Sequence, residues 1–344
     1  MRPQKSWSDF ALGSLILTML GGLVLRLSFV QGTPGFLVGF DLRQAHTHLG
    51  YYGFLIPMAW HLLSDRNFWV PTGAWEKGYK ISVVIAVCGF FIAGYGPVAH
   101  AFSFLVLMVW LSFAIKNIKF HPPVRKSWLA SVPVGIIGAT VALALVVVSA
   151  VLKQPDVSKR FVRAFLTVLA YAVILPVAID KLGHAKRPAW LWVLGTIGLA
   201  VFVMDLDYSN YFFWGPVLMS VLLLEGVFNK KNRGRGDLYL GLLSVGLFFF
   251  GTTFLKNTHF TVVAGMHFLI FGPLVSNFIK FKNRYQSVLY DGCVFIMTSA
   301  LLLMDMWTRY FFIWQQVSLF SGVGILVCIL LVHKGQLLRK MDGL

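Results

Sequence analysis

Long apolar runs recur from one end of this chain to the other, each close to the length that spans a bilayer as a helix, about 20 residues. Of 344 residues, 58% are hydrophobic and only 12% charged, and the mean hydropathy is +0.75. Soluble domains do not have this composition. A membrane barrel would show short segments of alternating polarity instead. The expected fold class is therefore an all-α integral membrane protein, a single polytopic transmembrane domain over 1–344 with about 12 transmembrane helices. Apolar runs and helix breakers place the spans near 9–30, 44–63, 79–95, 97–117, 128–152, 160–180, 188–205, 208–228, 237–255, 258–280, 287–306 and 309–333. Residues 79–116 are too long for one ordinary span, and Gly94-Tyr95-Gly96-Pro97 is a strong turn signal that divides them. No repeat of solenoid length and no inserted soluble domain is visible, so chemistry must happen among the helices or on a partner subunit.

The formal net charge of +17 could suggest a nucleic-acid partner, but the basic residues sit in short loops between spans. Such loops set orientation by the positive-inside rule. With N and C termini cytoplasmic, most Lys and Arg fall inside, including Lys116, Lys119, Arg125, Lys126, Lys230, Lys231, Arg233 and Arg235. The opposite loop 205–210 has none. The expected setting is multi-pass in the cell inner (cytoplasmic) membrane. The partners are the lipid bilayer and a redox partner or a second copy of the chain, and no nucleic acid. Cys88, Cys293 and Cys328 stand singly in apolar runs, form no C-x-x-C pair, and read as packing residues.

Within this frame the histidines carry the chemical information. An ionisable imidazole inside a span is costly and is by default a functional-site hypothesis. His46 and His48 open helix two, His100 opens helix four, and His259 begins helix ten with His267 more than two turns further in. Five of the nine histidines thus fall in one half of the membrane. His121, His184 and His333 fall in loops or at a helix end, and His61 near an interface. Neutral imidazole suits haem iron, copper and zinc. Zinc would call for carboxylates or thiolates that this half lacks. Copper could take His46, His100 and His259. Haem needs two histidines on different helices facing each other.

His46 and His48 lie about 200° apart around one helix and cannot share an iron. His46 shares its stripe with Gly50, Gly53 and Pro57, a smooth face that suits a flat ring. His48 to Gly53 matches His267 to Gly272 in spacing, and this internal analogy ranks His48 slightly ahead. Glycine removes side-chain bulk from a helix surface, so Gly53 and Gly272 are expected to clear space for a macrocycle. Haem propionates need cations. The candidates are Arg26 inside span one, Arg43 before His46, and Arg309 beside Trp307.

His46-Thr47-His48-Leu49-Gly50-Tyr51-Tyr52-Gly53 resembles the H-x-H-x-x-x-x-G signature of helix two in NnrS-type proteins and in small relatives of haem–copper oxidase subunit I. His267 with Gly272 falls in helix ten, where that superfamily also places haem ligands. The resemblance implies a haem–copper oxidase subunit I-like bundle. It also implies a b-type haem between helices two and ten on His48 or His46 with His267, and an association with haem, copper and the nitric-oxide response. The chain departs from the oxidases where they bind copper, because helices six and seven contain no histidine. A terminal oxidase is therefore excluded from the expectation. Two other classes remain: a cofactor-free transporter with His46, His100 and His267 along a polar path, and a structural subunit of a respiratory assembly.

Overall fold

The computed structural model describes residues 3–32, 35–119, 128–181, 188–204, 209–228, 235–252, 259–276, 279, 281, 283–306 and 310–341. Among them there is no strand, and the chain runs as twelve helices. These are α1 (Pro3–Gln31), α2 (Leu42–His48 continuing through Leu49–Leu55 and Ile56–Leu63), α3 (Ala74–Ala93), α4 (Pro97–Ile118) and α5 (Val132–Val151). They continue with α6 (Pro155–Val168 continuing through Leu169–Ile174 and Leu175–Lys181), α7 (Ala189–Val203), α8 (Trp214–Phe228) and α9 (Arg235–Thr252). The last three are α10 (His259–Leu269 continuing through Ile270–Val275), α11 (Arg284–Met306) and α12 (Phe311–Met341). Among the described residues, six stretches are long and apolar enough to cross a membrane: Lys5–Gln31, Pro97–Ile118, Trp128–Ser149, Pro155–Asp180, Arg284–Met304 and Phe311–Val332. Shorter apolar helices cover Ala189–Val203, Trp214–Phe228, Gly236–Phe248 and Val263–Val275.

Local sequence explains the breaks. Gly94 takes φ +56°, a conformation open to glycine, and ends α3. Pro97 then starts α4 at a helical position that needs no N–H. This is the division expected at Gly94–Pro97. Asp41 caps α2 by accepting the Gln44 N–H at 3.1 Å.

Consecutive helices pack side by side, and α12 closes the ring against α1. Inside the ring α2 touches α6, and α6 touches α10. The outward faces carry exposed apolar side chains such as Leu17, Ile92, Phe104, Val148 and Phe320, as expected of helices that meet lipid.

The inner helices α2, α6 and α10 share a construction. Each changes from α to π hydrogen bonding part-way: Leu49–Leu55, Leu169–Ile174 and Ile270–Val275. Proline accounts for the change in α2 and α6: Pro57 and Pro176 stand five residues after Tyr52 and Tyr171 and have no N–H to offer those carbonyls. In α10 Pro273 lies within the π segment, and the N–H five residues after Phe271, that of Ser276, bonds Gly272 O instead. The following helix supplies the missing donor each time. Tyr79 Oη on α3 donates to Tyr52 O at 2.7 Å, Trp192 Nε1 on α7 donates to Tyr171 O, and Tyr290 Oη on α11 donates to Phe271 O at 2.7 Å.

The residue after each of these carbonyls is small: Gly53, Ala172 or Gly272. The preceding helix packs against it. A Cβ on Gly53 would lie 2.6 Å from Ser14 Oγ on α1, and one on Gly272 would lie 2.5 Å from Tyr239 Cδ1 on α9. A Cβ on Gly135 of α5 would lie 2.7 Å from Ala172 Cβ. One unit of preceding helix, inner helix and following helix thus recurs at every fourth helix. Five residues before the small one stand His48, Thr167 and His267.

Candidate functional site

The two histidines that open α2 serve opposite sides of it. His46 faces α1. Its Nδ1–H donates to Thr18 O at 2.7 Å, and its ring lies on a glycine pair, so that a Cβ on Gly22 would come 2.9 Å from Cε1. His48 faces α3 and is 3% exposed. Its ring stacks on Phe90 at 3.6 Å between centroids and 19° between planes, and it also touches Tyr51, Tyr52 and Tyr95. Tyr95 in turn meets His100, with centroids 5.8 Å apart. His48 is therefore packed as an aromatic core residue, in a cluster closed by His100 at the start of α4.

Around His46 the setting is different. Arg26 of α1, His46 and His267 of α10 lie within electrostatic reach of one another. Arg26 Nη1 reaches Ser318 O of α12 at 3.2 Å and Met297 Sδ of α11 at 3.4 Å. Among the described residues it has no carboxylate partner; the ion pairs there are Arg66–Asp180, Lys80–Glu76 and Lys159–Asp156. Arg26 lies five residues before the end of α1, and an arginine inside a span is costly without a partner; among the described residues no carboxylate offsets it. Two hydroxyls, Ser318 Oγ beside Arg26 and Thr18 Oγ1 of the residue that His46 bonds, are buried without a hydrogen-bond partner. Gln315, 2% exposed, lies one turn before Ser318. Gly322, one turn after Ser318, admits the guanidinium: a Cβ there would lie 2.8 Å from Nη1. The site is thus walled by α1, α2, α10, α11 and α12.

Each of the four histidines donates its Nδ1–H to a backbone carbonyl. His48 bonds Gln44 O at 2.9 Å, His100 bonds Gly96 O at 3.0 Å, and His267 bonds Val263 O at 2.7 Å, alongside the His46 bond to Thr18. That fixes the tautomer with a lone pair on Nε2, the arrangement of a ligating imidazole. No Nε2 makes a hydrogen bond among the described residues. For haem the donor set fits at one place. His46 and His267 come from two helices with unengaged Nε2 atoms, and Arg26 supplies a cation in need of an anion.

His48 and His267 match in spacing but have different neighbours: His48 lies against Phe90 of α3 and near His100 of α4, whereas His267 lies near Arg26 of α1 and His46 of α2. The His46–Gly50–Gly53 stripe is real, yet α1 covers it: a Cβ on Gly50 would meet Thr18 Cγ2 at 3.5 Å and one on Gly53 would meet Ser14. Gly53 and Gly272 therefore clear space for neighbouring helices rather than for a macrocycle. A copper set of His46, His100 and His259 is divided by the two faces of α2, with His100 on the His48 side.

Among the described residues no group of three or more His, Cys, Asp or Glu converges on a point. Arg43 is exposed and lies within reach of Tyr95, away from Arg26. Of the cysteines only Cys328 is buried, and Cys88 is exposed.

His259 lies at the start of α10, but its side chain is outside the described residues, as is that of His333. Arg309, Trp307, His121, His184 and the loops 205–208 and 229–234 also lie outside them. The features that sequence reasoning missed are Thr18, Gly21, Gly22 and Ser318. An apolar span with a Gly-Gly pair four residues before an arginine was the available signal for the first three. Searches against protein-family models, curated proteins and solved structures find no match to this chain.

Proposed function

We propose that this chain is a haem-b-binding membrane protein with the helix arrangement of haem–copper oxidase subunit I, related in kind to NnrS-type proteins. It would act in the nitric-oxide response or in electron transfer near the membrane face where α2 begins. The observation that carries the reading is Arg26, a cation with no carboxylate partner among the described residues, near two imidazoles from different helices whose Nε2 atoms are unengaged there. His46 and His267 would hold the iron, and Arg26 would bind a propionate. The absence of a C-x-x-C-H sequence makes the attachment non-covalent. Bound there, the haem would supply a reversible one-electron couple and an iron for which nitric oxide can compete.

The protein's own part is positional. The Thr18 and Val263 carbonyls hold the two imidazoles in one tautomer and raise the basicity of Nε2. Gly21 and Gly22 let the His46 ring lie against α1. The Thr18 and Ser318 hydroxyls stand ready to hydrogen-bond a polar edge. Copper stays in the proposal as a second metal that imidazole suits; of its expected set, the side chain of His259 lies outside the described residues.

A reduced-minus-oxidised spectrum of protein expressed with ample haem tests the reading. It should show a b-type low-spin signal whose haem is released by acid–acetone. A colourless protein would overturn it and favour the cofactor-free transporter.

A further inference from the structure

A second site lies on the far side of α10. A partly open cavity of about 270 Å³ is lined by α6, α7, α8, α9, α10 and α11. Leu199, Phe202, Leu243 and Phe268 make most of its wall apolar. Thr298 and Ser299 of α11 also line it, but Thr298 Oγ1 already donates to Val294 O at 2.8 Å and Ser299 is exposed. Two residues of α6 interrupt the wall more deeply. Thr167 is 6% exposed and Tyr171 is 9% exposed, both line the cavity, and neither hydroxyl has a hydrogen-bond partner among the described residues. They are four residues apart on a helix and so lie on one face, a turn from each other. A buried hydroxyl left without a partner costs about 1–3 kcal/mol. Two of them facing one apolar space indicate a partner that is not part of the chain.

The recurring unit of the fold points the same way. Thr167 occupies on α6 the position that His48 occupies on α2 and His267 on α10, five residues before the small residue of the π segment. On α2 and α10 that position carries an imidazole; on α6 it presents a hydroxyl. A hydroxyl pair suits a hydrogen-bond acceptor rather than a metal.

We propose that this cavity binds a lipid-soluble ring compound bearing a carbonyl, of the quinone class, with one carbonyl oxygen accepting from both Thr167 Oγ1 and Tyr171 Oη. A carbonyl oxygen has two lone pairs and can take both bonds. The size agrees, since a cavity of about 150 Å³ already holds benzene and this one has room for one or two rings. The wall includes Leu242, which is 40% exposed on the bundle, so the space adjoins the lipid-facing side. The inference does not rest on haem being bound.

The test uses the full chain in lipid nanodiscs, with empty nanodiscs as the partition control, and two probes of like shape: 2-methyl-1,4-naphthoquinone and 2-methylnaphthalene. The quinone should bind saturably and more tightly than the hydrocarbon. Tyr171→Phe and Thr167→Val should each weaken quinone binding roughly three- to tenfold, the worth of one hydrogen bond, and leave hydrocarbon binding unchanged. Gly265→Leu and Gly246→Leu fill the cavity from opposite walls, and a Cβ at either glycine meets nothing within 4 Å, so both should fold and both should abolish binding. Equal affinity for the two probes, or quinone binding that survives both leucine variants in folded protein, would overturn the proposal. Failure of quinone binding in a protein that shows the low-spin haem spectrum would overturn this inference alone and leave the haem reading standing.

Discussion

The two sides of α2 receive the same residue and treat it in opposite ways. On one side His48 is stacked on Phe90 and ringed by Tyr51, Tyr52 and Tyr95, so its ring is part of an aromatic core with no cation beside it among the described residues. On the other, His46 lies beside a cation without a carboxylate and hydroxyls without partners. Both imidazoles donate Nδ1–H to a backbone carbonyl, and His46 is half-buried where His48 is buried. The difference lies in what surrounds the ring, and it teaches that unsatisfied polar neighbours, more than the histidine itself, mark where a ligand belongs. A closed native core leaves few such groups.

The comparison can be broken or sharpened by substitution, with haem content and the low-spin spectrum as readouts. The largest effect is expected from His267→Ala, which removes a ligand and should abolish the low-spin signal. Gly22→Val comes next. Its Cβ would already stand 2.9 Å from His46 Cε1, so the ring must leave its place on α1, and bound haem should fall by about tenfold or more. The same substitution at Gly78, where a Cβ meets nothing within 4 Å, should not affect haem.

Arg26→Gln removes the cation but keeps a hydrogen-bonding side chain. Loss of one charge-assisted bond of about 1.5–3 kcal/mol predicts weaker haem retention by about tenfold to a hundredfold, with the six-coordinate spectrum unchanged in the fraction that still carries haem. Unaltered retention would mean that Arg26 serves only the fold. The smallest effect on haem is expected from Tyr290→Phe. It strips the donor from Phe271 O and should cost about 1–3 kcal/mol of stability, read as earlier thermal unfolding, with the spectrum intact.

Much of the helix order was legible in the chain. Gly94 and Pro97 announce their break because glycine alone takes that φ without strain and proline begins a helix without loss. The cost of imidazole in hydrocarbon singled out His46, His48, His100 and His267. The threefold recurrence was not legible. Its members read His-Leu-Gly-Tyr-Tyr-Gly, Thr-Val-Leu-Ala-Tyr-Ala and His-Phe-Leu-Ile-Phe-Gly, alike only in a small residue after an aromatic, and the shared feature is a backbone carbonyl, which sequence does not display.

The neighbour of each face was hidden for a related reason. Helical periodicity separates His46 from His48 by angle, but only the packing of α1 and α3 against α2 decides which of them meets α10. His48 and His267 hold matching positions on their helices, yet His48 packs on Phe90 and Tyr95 while His267 lies near Arg26 and His46, a difference that spacing alone does not reveal. The close packing at Gly53 and Gly272 likewise depends on Ser14 and Tyr239, partners distant in sequence.

The central claim is that His46, not His48, pairs with His267. It is tested most directly by comparing reduced-minus-oxidised spectra of purified His46→Ala and His48→Ala proteins at matched concentration. The account predicts that His46→Ala loses the low-spin b-type signal, whereas His48→Ala, even if less stable, keeps it in the protein that remains folded. A full low-spin signal in His46→Ala, with loss in His48→Ala, would contradict it.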